Sequence, residues 1–263
     1  MALFGMVAGA RPGAHGFDAA TALNSHAAAT FRQAGFAFCI RYLSRGLGQQ
    51  PGDLTAAGVI LDAGLALMAV QHVDEEGWRP SADLGASNGN HAAANAGEIG
   101  FPFGVNIWLD LEGVHHLVSA EDVIAYCNAW HTEVAAAGYV PGIYVGANAT
   151  LTGDQLYWRV KMKHYWKSGS DVPDIPHRGY QLVQRIVPGD TMAGIGIDRN
   201  VTSTDAFGGP SCGLLVRRGV RRSSDQAPST ERPQAPIAAC RLAMLCVSTV
   251  RMSRRIWASG SVS

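Results

Sequence analysis

The chain has no run of roughly 18 to 20 uninterrupted apolar residues, the length a membrane-spanning helix needs. It also lacks a charge excess: 21 basic residues stand against 21 acidic ones, which removes the electrostatic footprint of a nucleic-acid binder. The N-terminal segment has no basic stretch followed by a long apolar core and a cleavage site. No clear signal peptide is read, and the expected location is cytoplasmic by default or outside the cell by a non-standard route. The five cysteines, Cys39, Cys127, Cys212, Cys240 and Cys246, show none of the paired close spacings of zinc sites. Cys39 and Cys127 sit inside apolar runs, where buried free thiols are expected. His72, His91, His115, His116 and His131 are scattered, with no His-X-X-X-His on one helix, so no metal is expected. No Gly-X-Gly-X-X-Gly joins the first strand to the first helix either, so a dinucleotide site is unsupported and no cofactor is expected.

What is present is 47% hydrophobic residues and 31 glycines in 263 positions, enough for one domain with a proper core. Short apolar runs alternate with helical patterns, the signature of parallel βα units. Strands are predicted near 15–18, 36–42, 65–72, 105–112, 140–145, 163–167, 179–185 and 195–200. Asn24 or Ser25 caps a predicted helix that stops at Gly35, and Asp53 caps one that stops at Gly64. Ser119 with Asp122 three residues on resembles a capping box, opening a helix with Val123, Tyr126, Cys127, Trp130 and Val134 on its apolar face. Eight strands with mainly helical crossovers predict an α/β fold, a compact (β/α)₈ TIM-type barrel with its site at the carboxyl ends of the strands. Residues 1–13 are read as a leader segment and 14–208 as the barrel. Residues 209–263, rich in Arg, Pro and Ser, are read as a poorly ordered tail.

The predicted strands end in polar side chains. The sharpest case is Trp108-Leu109-Asp110-Leu111-Glu112, whose two acids at i and i+2 share one face of a strand. Paired carboxylates are what glycoside cleavage requires, one protonated at the leaving oxygen and one charged near the anomeric carbon. Glu112, further toward the mouth, is cast as the general acid and Asp110 as its charged partner, with Asp18 and Asp198 as supporting acids. Should the substrate carry an N-acetyl group, that group could be the nucleophile with Asp110 orienting it. Arg41, His72, Tyr144, Trp166 and Gln184, with Trp78 as a further stacking candidate, are the substrate-binding candidates.

Gly16-Phe17-Asp18, Ile40-Arg41-Tyr42, Val70-Gln71-His72, Leu109-Asp110-Leu111-Glu112, Gly142-Ile143-Tyr144, Gln181-Leu182-Val183-Gln184 and Ile197-Asp198-Arg199-Asn200 resemble the glycoside-hydrolase-like barrels of domain of unknown function family 1906. That family is similar to the glycoside hydrolase family 25 lysozymes. The resemblance covers roughly residues 14 to 205. It implies a barrel whose acids lie at the ends of strands one, four and eight, here Asp18, Asp110, Glu112 and Asp198. The chain departs from the family pattern at Gln71-His72 and Glu112, where many relatives carry an aromatic-acid pair or a different acid, and at Leu182-Val183-Gln184, where Trp-Gln-Tyr is usual. Two functions stay open: a lysozyme-type hydrolase of peptidoglycan, and an inactive barrel that binds a glycan or protein partner. The expected partner is a cell-wall glycan or other polysaccharide, with no nucleic acid, no membrane span and a monomeric chain.

Overall fold

The computed structural model describes residues 3, 5–48, 53–72, 75–207 and 213–216. A short strand β1 (Met6–Gly9) precedes β2 (His15–Ala19), α1 (Ser25–Gln33), β3 (Phe38–Leu43), α2 (Asp53–Asp62) and β4 (Ala66–Gln71). Next come α3 (Ala82–Ile99), β5 (Asn106–Leu111), α4 (Ala120–Ala136) and β6 (Val140–Val145). A single π-helical turn (Gln155–Arg159) leads to β7 (His164–Lys167) and β8 (Leu182–Arg185). A hairpin of β9 (Thr191–Met192) and β10 (Ile195–Gly196), then β11 (Asp198–Thr202) and β12 (Gly213–Val216), complete the described chain.

Strands β2 to β8 pair in sequence order and in parallel, and β11 closes the barrel between β8 and β2. This is the eight-stranded α/β barrel the sequence predicts, with each strand at its expected place. Its later connections differ from the helical crossovers expected. Pro173, Pro176, Gly169 and Gly179 interrupt the segment before β8, where proline removes a backbone donor and disfavours helix. Beyond β8, Ala193 and Gly194 both take positive φ (52° and 76°), the two-residue turn that suits a hairpin. As a result β11 runs antiparallel to both neighbours.

Local signals explain the helices. Asn24 accepts from Ala27 N at 2.9 Å, and Ser119 accepts from Asp122 N while its hydroxyl donates to Asp122 Oδ2 at 2.8 Å. Helix α3 is absent from the sequence reading because three Gly and three Asn, residues with poor helix propensity, interrupt its alanines. Packing makes them necessary. A Cβ built on Gly85 would lie 2.2 Å from the Tyr126 carbonyl oxygen, and one on Gly89 would lie 2.7 Å from that of Trp130. The bare α3 backbone thus lies directly on α4. Ser81 caps its start and Gly100, at φ 98°, ends it.

Two cores follow from strand alternation. Phe38, Ile40, Ala66, Met68, Val70, Trp108, Tyr144, Trp166 and Leu182 fill the barrel interior. Their neighbours of opposite parity, such as Cys39, Leu67, Ala69, Ile107, Leu109, Ile143 and Tyr165, pack toward the helices. Gly16 and Gly142 leave room inside for the rings of Phe38 and Trp108. Cys39 and Cys127 are buried free thiols, as expected. Residues outside the predicted barrel limits also take part: β1 pairs with β12, and β12 reaches β4 at Leu215↔Leu67. The compact unit runs from Met1 to Val220. Apart from β12, the predicted tail of 209–263, with Cys212, Cys240 and Cys246, lies outside the described residues.

Candidate active site

Parity decides which strand-end residues meet. Each interior row, continued one step upward, places its next residue at the mouth: Asp18 above Gly16, Tyr42 above Ile40, His72 above Val70, Asp110 and Glu112 above Trp108, Gln184 above Leu182. Because β11 runs the other way, its first residue, Asp198, stands at the same end, paired with Asp18.

Asp18 is buried and accepts three hydrogen bonds, from Tyr42 Oη at 3.0 Å, Gln184 Nε2 at 3.0 Å and Asn200 Nδ2 at 2.7 Å. Burial pushes its carboxyl up to about 6 against those three donors. Tyr144 donates to Gln184 Oε1 at 2.9 Å, so Tyr144, Gln184 and Asp18 form one chain of hydrogen bonds. Asp110 is buried, with Oδ2 3.0 Å from His72 Nδ1. That contact raises the His72 imidazole above its ordinary value. Glu112 is pushed up to about 7, first by burial and then by the Asp110 charge, with His72 opposing. Asp198 is raised by partial burial and by Asp190.

Three cavities adjoin. The inner one, ≈ 200 Å³, is lined by Tyr42, Val70, Asp110, Glu112, Tyr144, Trp166, Gln184, Ile186 and Asp198. A second, ≈ 360 Å³, shares Glu112 and adds His72, Glu75, Glu76, Gly113, Ala147 and Asn148. A third, ≈ 400 Å³, shares Tyr42, Ile186 and Asp198 and reaches Asp18, Pro188 and Asp190. Glu112 therefore stands on the wall between two cavities. Gly146 makes room for it, since a Cβ there would lie 2.4 Å from Glu112 Cβ. Trp78 holds the Glu112 backbone by donating from Nε1 to its carbonyl at 2.7 Å.

The structure thus gathers Asp18, Asp110, Glu112, Asp198, His72, Tyr144, Trp166 and Gln184 at one mouth. Arg41 is not among them. It has outward parity, and its guanidinium donates to the carbonyls of Ala19 and Thr21, bracing the loop after β2. Trp78 is buried against Tyr126, and Trp166 is a buried wall set edge-on to Tyr144 and Trp108, so neither is an open stacking platform. Tyr42 and Asn200 were missed as site residues, although the Phe38, Ile40, Tyr42 alternation marks the first. Donor atoms of His72, Asp110 and Glu112 lie within 4.8 Å of one another, a spacing a cation could bridge. Within this group the His72 ring and the Asp110 carboxylate already share a hydrogen bond.

A barrel with paired acids at its mouth is the architecture of glycoside-hydrolase-like proteins, and comparison with known proteins places the chain among them. Residues 29–202 match the model of the Rv2525c-like, glycoside hydrolase-like domain, and the chain belongs to that family. Among solved structures it is similar to the Tat-secreted protein Rv2525c of Mycobacterium tuberculosis, solved with L-tartrate (18% identity, TM-score 0.55, covering 73% of this chain and 95% of that one). It is also similar to a family 25 glycosyl hydrolase from Bacillus anthracis (13%, 0.52, 73% and 89%). A third is the bacterial lysozyme from Streptomyces coelicolor (15%, 0.51, 72% and 92%). At these identities the likeness is one of fold. No curated protein sequence matches the chain. Among the described residues, no helix is long and apolar enough to cross a membrane.

Proposed function

We propose that the chain hydrolyses a glycan of the peptidoglycan type, with Glu112 as general acid and Asp110 as its charged partner. The observation that carries this reading is the Asp110–Glu112 pair, with carboxylate oxygens within 4.8 Å, on the wall between two cavities. A carboxyl held at about 7 keeps its proton near neutral pH, as a proton donor to a leaving oxygen must. Where the substrate carries an N-acetyl group, that group serves as nucleophile and Asp110 orients it. Asp18, held by three donors, and Asp198 line the far side, and Tyr144 and Gln184 face the sugar from β6 and β8.

The test is Glu112→Gln, which keeps volume and removes the proton. Release of reducing ends from peptidoglycan or chitooligosaccharide is expected to fall by about 10² to 10⁴-fold while affinity survives. The wild-type rate should be bell-shaped in pH, both limbs belonging to the coupled pair. Wild-type protein that binds glycan but releases no reducing ends between about pH 4 and 8 would leave the binding barrel as the function.

A further inference from the structure

We propose that His72 is a positioning residue for Asp110, its Nδ1–H holding the Asp110 carboxylate in the orientation the reaction uses. The inference rests on the hydrolase reading and adds a residue to it. His72 follows β4 directly, and the parallel register Val70↔Trp108, Gln71↔Leu109 brings it beside Asp110 on β5. The imidazole nitrogen lies 3.0 Å from Oδ2. Its side chain is 59% exposed whereas that of Asp110 is 6% exposed, so a solvent-facing ring is anchored to a buried acid. The two touch different spaces. Asp110 lines the inner cavity, and His72 lines the outer one with Glu75, Glu76 and Asn148. A sugar in the inner cavity meets Asp110, and His72 acts on the reaction through that carboxylate. The Tyr42 ring, edge-on at 5.7 Å, supports the imidazole from β3.

The charged and titratable groups around His72 are Asp110 and Glu112 on the β5 side, Arg45 after β3, Glu75 and Glu76 after β4, and Tyr42 on β3. Donation to a carboxylate requires the proton on Nδ1 whenever the ring is neutral. The hydrogen bond favours the ionised form of Asp110, while the imidazolium charge favours ionisation of Glu112. These two effects separate by substitution, because an asparagine amide can reproduce the Nδ1 donor without the charge.

Two measurements on the full chain test this. Ring-nitrogen NMR of His72 across pH is expected to show the Nδ1–H tautomer in the neutral form; the Nε2–H tautomer would overturn the proposal. In the rate profile, His72→Leu is expected to lower kcat by about tenfold with little change in KM, the lower end for one hydrogen bond to a charged group because the ring is half exposed. It should move both pH limbs upward. His72→Asn is expected to restore most of kcat and the low-pH limb while leaving the high-pH limb raised. A His72→Leu profile that matches wild type, or a loss confined to KM, would overturn the positioning role. If wild type turns over no glycan, the hydrolase reading fails, and the ring-nitrogen spectra still decide whether His72 holds Asp110.

Discussion

Keeping a carboxyl group protonated near neutral pH costs the fold something at every higher pH. Glu112 is raised from 4.5 to about 7 and Asp18 from 3.8 to about 6, each chiefly by burial. Below about pH 3 both are protonated whether the chain is folded or not, and neither weakens the fold. Between the unfolded and folded values the unfolded chain loses its protons first, so stability falls as pH rises, and the cost is complete above about 7. Glu112→Gln is therefore expected to melt at a higher temperature than wild type near pH 8 and at the same temperature near pH 3. Equal melting at both would show that burial of Glu112 carries no such cost. The two acids were visible in the sequence because i, i+2 spacing on a strand means one face. Arg41 was misplaced for the same reason read one residue out of phase: Phe38 and Ile40 face inward, so Tyr42 reaches the mouth and Arg41 cannot. The three donors on Asp18 come from β3, β8 and β11, and no local pattern announces a partnership across 182 positions of chain.

Helices α1, α2 and α4 carry caps, apolar faces and terminal glycines in their sequences, and all three were anticipated. Helix α3 has its own cap and terminal glycine, Ser81 and Gly100, but its internal glycines weaken the helical signal, and only its contact with α4 explains Gly85 and Gly89. Propensity and packing thus predict opposite signs for one substitution. Alanine favours helix over glycine by about 1 kcal/mol, yet at Gly85 its Cβ would press on the α4 backbone. Gly85→Ala is expected to destabilise the protein by about 1 to 3 kcal/mol, the range for overpacking. Gly97→Ala, on the same helix but facing only the Tyr139 hydroxyl at 3.7 Å, should be neutral or stabilising. Denaturant titration of the two variants decides the point. Similar gains in both would mean that the α3–α4 approach is loose.

The barrel as a whole was readable from eight apolar runs alternating with helical patterns, whereas its limits were not. Strands β1 and β12 are four residues each, and their pairing joins segments more than 200 positions apart. Such a contact leaves no periodic trace. Gly213 N also donates to the buried Asn106 Oδ1 at 2.6 Å, at the foot of β5. A chain ending at Val220 is expected to melt cooperatively near the temperature of the full protein. One ending at Gly208 should melt lower, because it loses that ladder and leaves the Asn106 acceptor without this donor, a cost of about 1 to 3 kcal/mol. Identical melting of the two would return the boundary to 208.

The reversed strand β11 settles where the chain enters and leaves. Seven strands climb toward the mouth and one descends, so Thr202 arrives beside Ala14 at the floor, where Gly13 and Thr202 exchange backbone contacts with their neighbours. Were β11 parallel, the polypeptide would emerge among the acids and need a further crossover to get away. Instead both ends of the barrel ladder open on the face opposite the mouth. The segments that enter and leave the ladder, at Ala14 and Thr202, therefore lie away from the carboxylates.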